Sequence, residues 1–224
     1  LDQYGVPEFL NKRAAFLFKM YQAFGHHFDF IAIPIIKKRL RMDTSQVIIN
    51  EERPQLTKHL ATRFKEKIGQ NVNLLGEVVL GNEEADHRYH HYLEALESPD
   101  INYISVKISG IYAQTHALNY EESFPELVSR MSALYQKAID FPYRDEDGIK
   151  RSKFINLDME EYKDAHFTLR LFKAVLNLPQ FKNYSAGIVV QAYLPDAYDF
   201  QTELLEFAKA RVDGGGAPIK MRLV

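Results

Sequence analysis

Four short apolar runs in this 224-residue chain end in a polar or charged residue. The runs are Ile104–Lys107, Phe154–Asp158, Gly187–Gln191 and Ile219–Arg222. A segment with helical spacing of apolar residues follows each of the first three runs, which is typical of parallel strands that alternate with helices. In such folds ligands bind at the carboxyl ends of the strands. We therefore expect a lysine, an aspartate, a glutamine and an arginine to converge on one rim.

A further strand is predicted at residues 72–80, which brings the number of strands to five. Residues 1–42 show the spacing of two helical segments, residues 43–53 are a polar connection, and an amphipathic helix begins near Pro54. The βα alternation fits both an open doubly wound sheet and a closed eight-stranded barrel. No G-x-G-x-x-G motif follows the first strand, which argues against a dinucleotide-binding Rossmann fold.

Composition and charge exclude several function classes. The chain has no cysteine, so disulfides, thiol catalysis and thiolate metal sites are ruled out. A net charge of −2 gives no support for a nucleic-acid partner. The most apolar stretch, residues 28–36, is much shorter than the roughly 20 residues of a membrane helix. His87 and His91 have helical i, i+4 spacing, but no further ligand is fixed by spacing, and we predict no metal site.

Each candidate residue also has a purely structural explanation. Lys107 is either a lysine that reaches water at a strand edge, an anion-binding ammonium or a Schiff-base nucleophile. Asp158 is either a helix N-cap or a residue that takes part in the chemistry of the site. Glu160 is expected in the first turn of the following helix. Gln191 and Arg222 are polar residues in apolar strands, so both need partners from the protein or from a ligand.

Five ordered segments together resemble the proline dehydrogenase family, and in particular the flavoprotein barrel of bacterial bifunctional proline utilisation enzymes. The segments are LLGE at 74–77, ISVKIS at 104–109, INLDMEE at 155–161, GIVVQAYLPDA at 187–197 and GGAPIKMRLV at 215–224. The resemblance covers about residues 70–224. It implies an α/β fold in which residues 54–224 form part of a (βα)8 barrel, truncated after the fifth strand, and residues 1–53 form a helical arm.

The resemblance also implies an activity. The family oxidises L-proline to Δ1-pyrroline-5-carboxylate with FAD, by hydride transfer to flavin N5, and passes the electrons to a membrane quinone. Lys107 corresponds to the lysine that pairs with the substrate carboxylate, and Asp158 to an active-site aspartate. Met159 and Gln191 correspond to flavin contacts. Arg222 corresponds to the arginine that lies against the flavin near N5.

Further expectations concern the surroundings of this barrel. Glu77 in LLGE is expected to support the residues of the site without contacting the substrate or the cofactor itself. The flavin-binding Lys-Gly-Ala segment, the later strands and the final helix with its paired arginines are not in the chain, so these 224 residues alone are expected to be inactive. The rest of the barrel, and in bifunctional relatives an aldehyde dehydrogenase domain, would follow. The implied location is the cytoplasm, with peripheral contact to the inner membrane left open.

Two other functions fit the same residues. A barrel aldolase would use Lys107 as a Schiff-base nucleophile together with Asp158. A non-catalytic scaffold would tolerate the loss of Lys107, Asp158 and Arg222, because helix faces would carry the binding.

Overall fold

The computed structural model describes residues 12–24, 29–44, 48–49, 53–74, 81–113 and 119–224. The chain divides into two compact units, with the boundary between His59 and Leu60. This boundary lies within α3 (Arg53–Lys65), and the expected boundary at 53/54 lies at the first residue of the same helix. The first unit also contains α1 (Lys12–Phe24) and α2 (Asp29–Thr44). In the part of the chain that is described, no helix has both the length and the apolar character that a membrane span requires.

The second unit is built on a five-stranded parallel sheet, which confirms the predicted α/β architecture. Its strands are β1 (Val72–Asn73), β2 (Tyr103–Lys107), β5 (Phe154–Asp158), β6 (Gly187–Val190) and β7 (Lys220–Leu223). They are arranged side by side in chain order. A separate antiparallel hairpin consists of β3 (Tyr143–Arg144) and β4 (Lys150–Arg151).

Helices connect the strands, as expected for parallel neighbours. They are α4 (Asn82–Glu97), α5 (Ile108–Ile111), α6 (Tyr120–Asp140), α7 (Ala165–Leu176) and α8 (Ala197–Asp213), with short 3-10 helices at Tyr162–Asp164 and Pro179–Phe181. Successive long helices contact each other, and α6 presents a fully buried stripe of apolar side chains. That stripe consists of Leu127, Met131, Leu134, Tyr135 and Ala138.

The two faces of the sheet differ in chemistry. One face is apolar and buried, and it carries Ile104, Val106, Ile155, Leu157, Ile188 and Val190. Each of these side chains contributes about 1.5–3 kcal/mol through burial. Because strand side chains alternate, the residues between these apolar ones point to the opposite face of the sheet. Residues that are paired in register on neighbouring strands lie on the same face. Lys107 is paired with Asp158 in this register, and Val189 is paired with Arg222.

Two local predictions had different outcomes. β2 ends at Lys107, the last residue of the predicted apolar run, and Ser109 lies in the short helix α5. Glu160 precedes a 3-10 turn, and α7 begins only at Ala165, so Glu160 is not in the first turn of that helix. Of the strand predicted at 72–80, the described part is paired at Val72 and Asn73, and residues 75–80 lie outside the described residues.

Candidate functional site at the carboxyl ends of the strands

The four residues singled out from the sequence lie at the carboxyl ends of four adjacent strands. Lys107 and Asp158 are the last residues of β2 and β5, Gln191 directly follows β6, and Arg222 is the third residue of β7. The strand register and the alternation of side chains put all four on the same face. The expected convergence on one rim is therefore present in the structure.

Asp158 is the centre of a hydrogen-bond network on this face. Its Oδ1 accepts hydrogen bonds from Asn156 Nδ2 at 2.6 Å, Arg222 Nη2 at 2.8 Å and Ser105 Oγ at 3.2 Å. Asn73 Nδ2 lies 3.5 Å from the other carboxylate oxygen, Oδ2. Asp158 is only 9% exposed, and a carboxylate with so little access to water requires such donors. The network ties β1, β2 and β7 to the end of β5.

The Asp158–Arg222 pair fixes the position of the guanidinium. Charge-assisted hydrogen bonds of this kind are about twice as strong as neutral ones. The Arg222 side chain remains 38% exposed, and its Nε is buried without a hydrogen-bond partner among the residues that the structure describes. The guanidinium therefore retains donor capacity beyond its bond to Asp158, which suits a binding role at this rim.

A second ion pair lies beside the first. Lys107 Nζ is 2.8 Å from Glu160 Oε1, and Ser109 Oγ donates a hydrogen bond to Glu160 Oε2. Gln191 Nε2 donates to the backbone carbonyls of Glu160, at 3.0 Å, and Met159, at 3.3 Å. Lys107 thus pairs with Glu160 and not with Asp158, its register partner on the neighbouring strand.

Glu160 is the residue of this cluster that sequence reasoning missed. The pair Glu160–Glu161 looked like the acidic first turn of a helix. The signal that could have found it is parity: Asn156, Asp158 and Glu160 are two residues apart. If the strand alternation continues past Asp158, Glu160 points to the same side as Asp158.

The backbone of Lys107 has its own support. The Tyr92 side chain of α4 is buried, and burial raises its pKa to about 12, while a hydrogen bond from the backbone N–H of Lys107 acts in the opposite direction. Gly110 leaves room for the ring, because a Cβ at that position would lie 3.0 Å from the Tyr92 hydroxyl. The Tyr92 hydroxyl of α4 therefore lies close to the backbone that follows β2.

The remaining predicted residues have different placements. The side chain of Met159 is buried, and its carbonyl is bound by Gln191. Glu77 lies outside the described residues. Within the described ranges, no group of three or more histidine, aspartate or glutamate side chains could hold a metal ion.

A cavity of about 390 Å³ lies at the other end of the same strands. Its lining includes the first residues of β2, β5 and β7, namely Tyr103, Phe154 and Lys220. It is therefore separated from the polar cluster by the length of the strands, and the polar cluster is the candidate active site because ligands bind at the carboxyl ends in such folds.

Comparison with known proteins identifies the family. The family model described as proline dehydrogenase matches residues 56–224. Proline Utilization A from Corynebacterium freiburgense is 35% identical with a TM-score of 0.74; the match covers 97% of this chain and 21% of that one. Proline Utilization A from Bdellovibrio bacteriovorus, inactivated by N-propargylglycine, is 28% identical with a TM-score of 0.69, covering 85% of this chain and 21% of that one.

A more distant structure shows the same fold. Proline Utilization A from Bradyrhizobium japonicum is 24% identical with a TM-score of 0.57, and the match covers 69% of this chain and 16% of that one. No curated protein sequence matches significantly. The chain spans about a fifth of the length of the first two relatives. Because the family model covers most of the chain, from α3 through β7, the chain belongs to the proline dehydrogenase family.

Proposed function

We propose that the protein carrying this chain oxidises L-proline to Δ1-pyrroline-5-carboxylate with FAD and passes the electrons to a membrane quinone. The observation that carries the proposal is the convergence of Lys107, Asp158, Gln191 and Arg222 on one rim of a proline dehydrogenase-family sheet. The rim offers a cation for a carboxylate and a second, anchored cation for an electron-rich cofactor.

The donor set fits a flavin. Arg222 offers a guanidinium that Asp158 holds in place at 2.8 Å, and its side chain keeps access to the rim. When bound, FAD supplies the acceptor for the hydride at N5. A fixed cation beside the flavin favours the negative charge that develops there. We assign Met159, which directly follows Asp158, and Gln191, whose Nε2 donates to the Met159 carbonyl, to cofactor contact.

Lys107 is suited to bind the proline carboxylate. An ammonium group is a compact point charge with three donors, and Glu160 occupies only part of this capacity. The side chain is 30% exposed, so an incoming carboxylate has access to it. The aldolase alternative is less compatible with these contacts, because a Schiff-base enzyme needs a free amine, whereas Lys107 Nζ lies in a 2.8 Å ion pair.

The test is a proline:dye oxidoreductase assay on the complete protein that carries this chain, together with its flavin absorbance spectrum. We expect a bound flavin and turnover with L-proline. N-propargylglycine, which inactivated the Bdellovibrio relative, should inactivate this protein in a time-dependent manner. Absence of flavin, or lack of proline turnover by a folded, flavin-loaded protein, would contradict the proposal.

A pair of variants on one strand makes this test specific. Arg222→Ala is expected to lower kcat for proline by about 10²-fold or more, in the range found when one electrostatic donor at a reacting centre is lost. Lys220→Ala is the matched control, because Lys220 lies at the amino end of the same strand, over the rings of Tyr103 and Phe154. Equal effects of the two substitutions would show that Arg222 has no special role.

A further inference from the structure

Glu160 has more connections to the site than its place in the sequence suggests. Its two carboxylate oxygens are bound by two different elements, the end of β2 through Lys107 and the short helix α5 through Ser109. The Lys107 and Glu160 side chains are 30% and 33% exposed, so this ion pair lies at the surface of the rim and not in the core. Exposed ion pairs stabilise a fold by only about 0–1 kcal/mol, which leaves the role of this pair to be explained by position.

The backbone that carries Glu160 is itself held. Residues 159–161 have no regular secondary structure, so their path depends on individual hydrogen bonds. Gln191, which is 7% exposed, donates to both the Met159 and the Glu160 carbonyl from the neighbouring strand. A chain of contacts therefore runs from Gln191 at the end of β6, through Glu160, to the ammonium of Lys107.

The rim also has a distinct charge arrangement. Each of its two cations has its own carboxylate, since Arg222 pairs with Asp158 and Lys107 pairs with Glu160. A lysine side chain has about 1.5–2 kcal/mol of rotamer entropy to lose when its end is fixed. If Glu160 fixes the Lys107 ammonium in advance, a substrate carboxylate meets a donor that is already in place.

We infer that Glu160 is a positioning residue for substrate: it fixes the ammonium of Lys107 in the orientation that receives the proline carboxylate, and Gln191 holds Glu160 for this purpose. The inference rests on the proposed function. It assigns Glu160 no contact with the reacting atoms. It also assigns Gln191 a second role, on the protein backbone, beside contact with the cofactor.

The opposite role for Glu160 gives an opposite result. If Glu160 were a competitor that occupies Lys107 and must be displaced, its removal would strengthen substrate binding and lower KM. Positioning predicts that removal weakens binding. The direction of the change in KM therefore distinguishes the two roles.

The experiment compares Glu160→Ala, Glu160→Gln and Glu161→Ala in the complete, flavin-loaded protein. Glu161 is the matched control, because it is the adjacent residue and its carboxylate forms an exposed ion pair with Lys163 at 2.7 Å, away from Lys107. We expect E160A to raise KM for proline about tenfold, the effect of losing prior ordering of one lysine, with kcat changed less than about threefold. E160Q keeps an acceptor for Lys107 and should raise KM by about threefold or less.

A double-mutant cycle separates positioning from general damage. In a Lys107→Met background, Glu160→Ala should have no further effect on KM, because the group that it positions is gone. Binding of a proline analogue that cannot be oxidised, followed by the change in flavin absorbance, gives a dissociation constant that should follow the same pattern without turnover. If E160A fails to fold, E160Q still decides the sign.

Each result of these experiments either supports or overturns the positioning role of Glu160. A fall in KM in either Glu160 variant, an effect no larger than that of E161A, or an undiminished effect in the K107M background overturns the inference. If the unmodified flavin-loaded protein does not oxidise proline at all, the proposed function fails and this inference fails with it. If proline oxidation is intact and E160A behaves like E161A, only the inference fails.

Discussion

Two lysines at opposite ends of the sheet differ in how far their side chains are buried and in the group that each ammonium binds. Lys107, at the carboxyl end of β2, is 30% exposed and pairs with the Glu160 carboxylate. Lys153 directly precedes β5 at the amino end and is only 2% exposed. Its Nζ donates to the backbone carbonyl of Ser98, and burial lowers its pKa to about 8, although the charge of Asp100 opposes this shift.

The difference lies in what each lysine can still do. The Lys153 ammonium is enclosed and bonded to a carbonyl that links β5 to the end of α4, so it belongs to the scaffold. The Lys107 ammonium keeps access to the rim. In barrel folds the carboxyl ends of strands carry the chemistry and the amino ends carry stability. A buried lysine is therefore informative only together with its place along the strand.

The largest effect is expected from Asp158→Ala at the carboxyl end. This change leaves Arg222 without its carboxylate and removes the acceptor of Asn156 and Ser105. We expect the free energy of unfolding, measured in urea, to fall by about 2–4 kcal/mol, together with loss of proline oxidation. Asp158→Asn, which keeps one acceptor oxygen, should lose less stability. A wild-type urea midpoint for D158A would show that the network is not structural.

Next in size is the contrast between the two lysines. Lys107→Met should lower kcat/KM for proline by about 10²-fold, equivalent to about 2.7 kcal/mol of transition-state stabilisation, mostly through KM. Lys153→Met is the matched control and should stay within about twofold of the unmodified protein. Steady-state kinetics on both variants test this contrast, and a larger loss from K153M than from K107M would reverse the assignment of the two ends.

Gly187, the first residue of β6, lies against Phe154 at the amino end of β5 and against Asn156, which binds Asp158 at the carboxyl end. A Cβ at this position would lie 2.7 Å from Asn156 Oδ1 and 2.9 Å from Phe154 Cε1, closer than side chains tolerate. Gly187→Ala should therefore destabilise the protein by about 1–3 kcal/mol. It should also lower activity in part, because Asn156 holds Asp158 at 2.6 Å.

Gly69→Ala is the control for Gly187→Ala, since nothing lies within 4 Å of its Cβ position. It should change the thermal midpoint very little. If G187A unfolds at the same temperature as G69A, the close contacts in β5 and β6 do not constrain this position.

The smallest effect is the pH dependence from Lys153. Its folded pKa of about 8 lies below the ordinary value of 10.5, so the unfolded chain binds more protons between these values. The free energy of unfolding should therefore rise from about pH 8 to pH 10, by about 1–2 kcal/mol, before buried tyrosines reverse the trend. In K153M the rise should disappear. A rise that persists in K153M would assign it to another group.

Four residues of the rim were predictable from the sequence because each of them ends an apolar run. Lys107, Asp158, Gln191 and Arg222 stand out as polar residues where strands should be buried, and parallel strands bring their carboxyl ends together. The choice between a barrel and an open sheet did not follow from the pattern. It came from the resemblance of the five segments, which the family match supports.

Contacts that depend on tertiary structure were not predictable. Lys153 lies in a polar stretch, and nothing local indicates that a carbonyl at Ser98 receives its ammonium. Glu160 was expected in the first turn of a helix, where acidic residues are favoured. α7 begins only at Ala165, and the Glu160 carboxylate instead pairs with Lys107. In both cases the partner is more than 50 residues away, beyond what local spacing can encode.

The most direct test of the proposed active site is a crystal structure of the complete protein with FAD and a proline analogue that cannot be oxidised. We predict the analogue's carboxylate at hydrogen-bond distance, about 3 Å, from Lys107 Nζ, and the flavin beside the guanidinium of Arg222. An analogue bound in the cavity at the amino ends of the strands, or a flavin held away from Arg222, would contradict it.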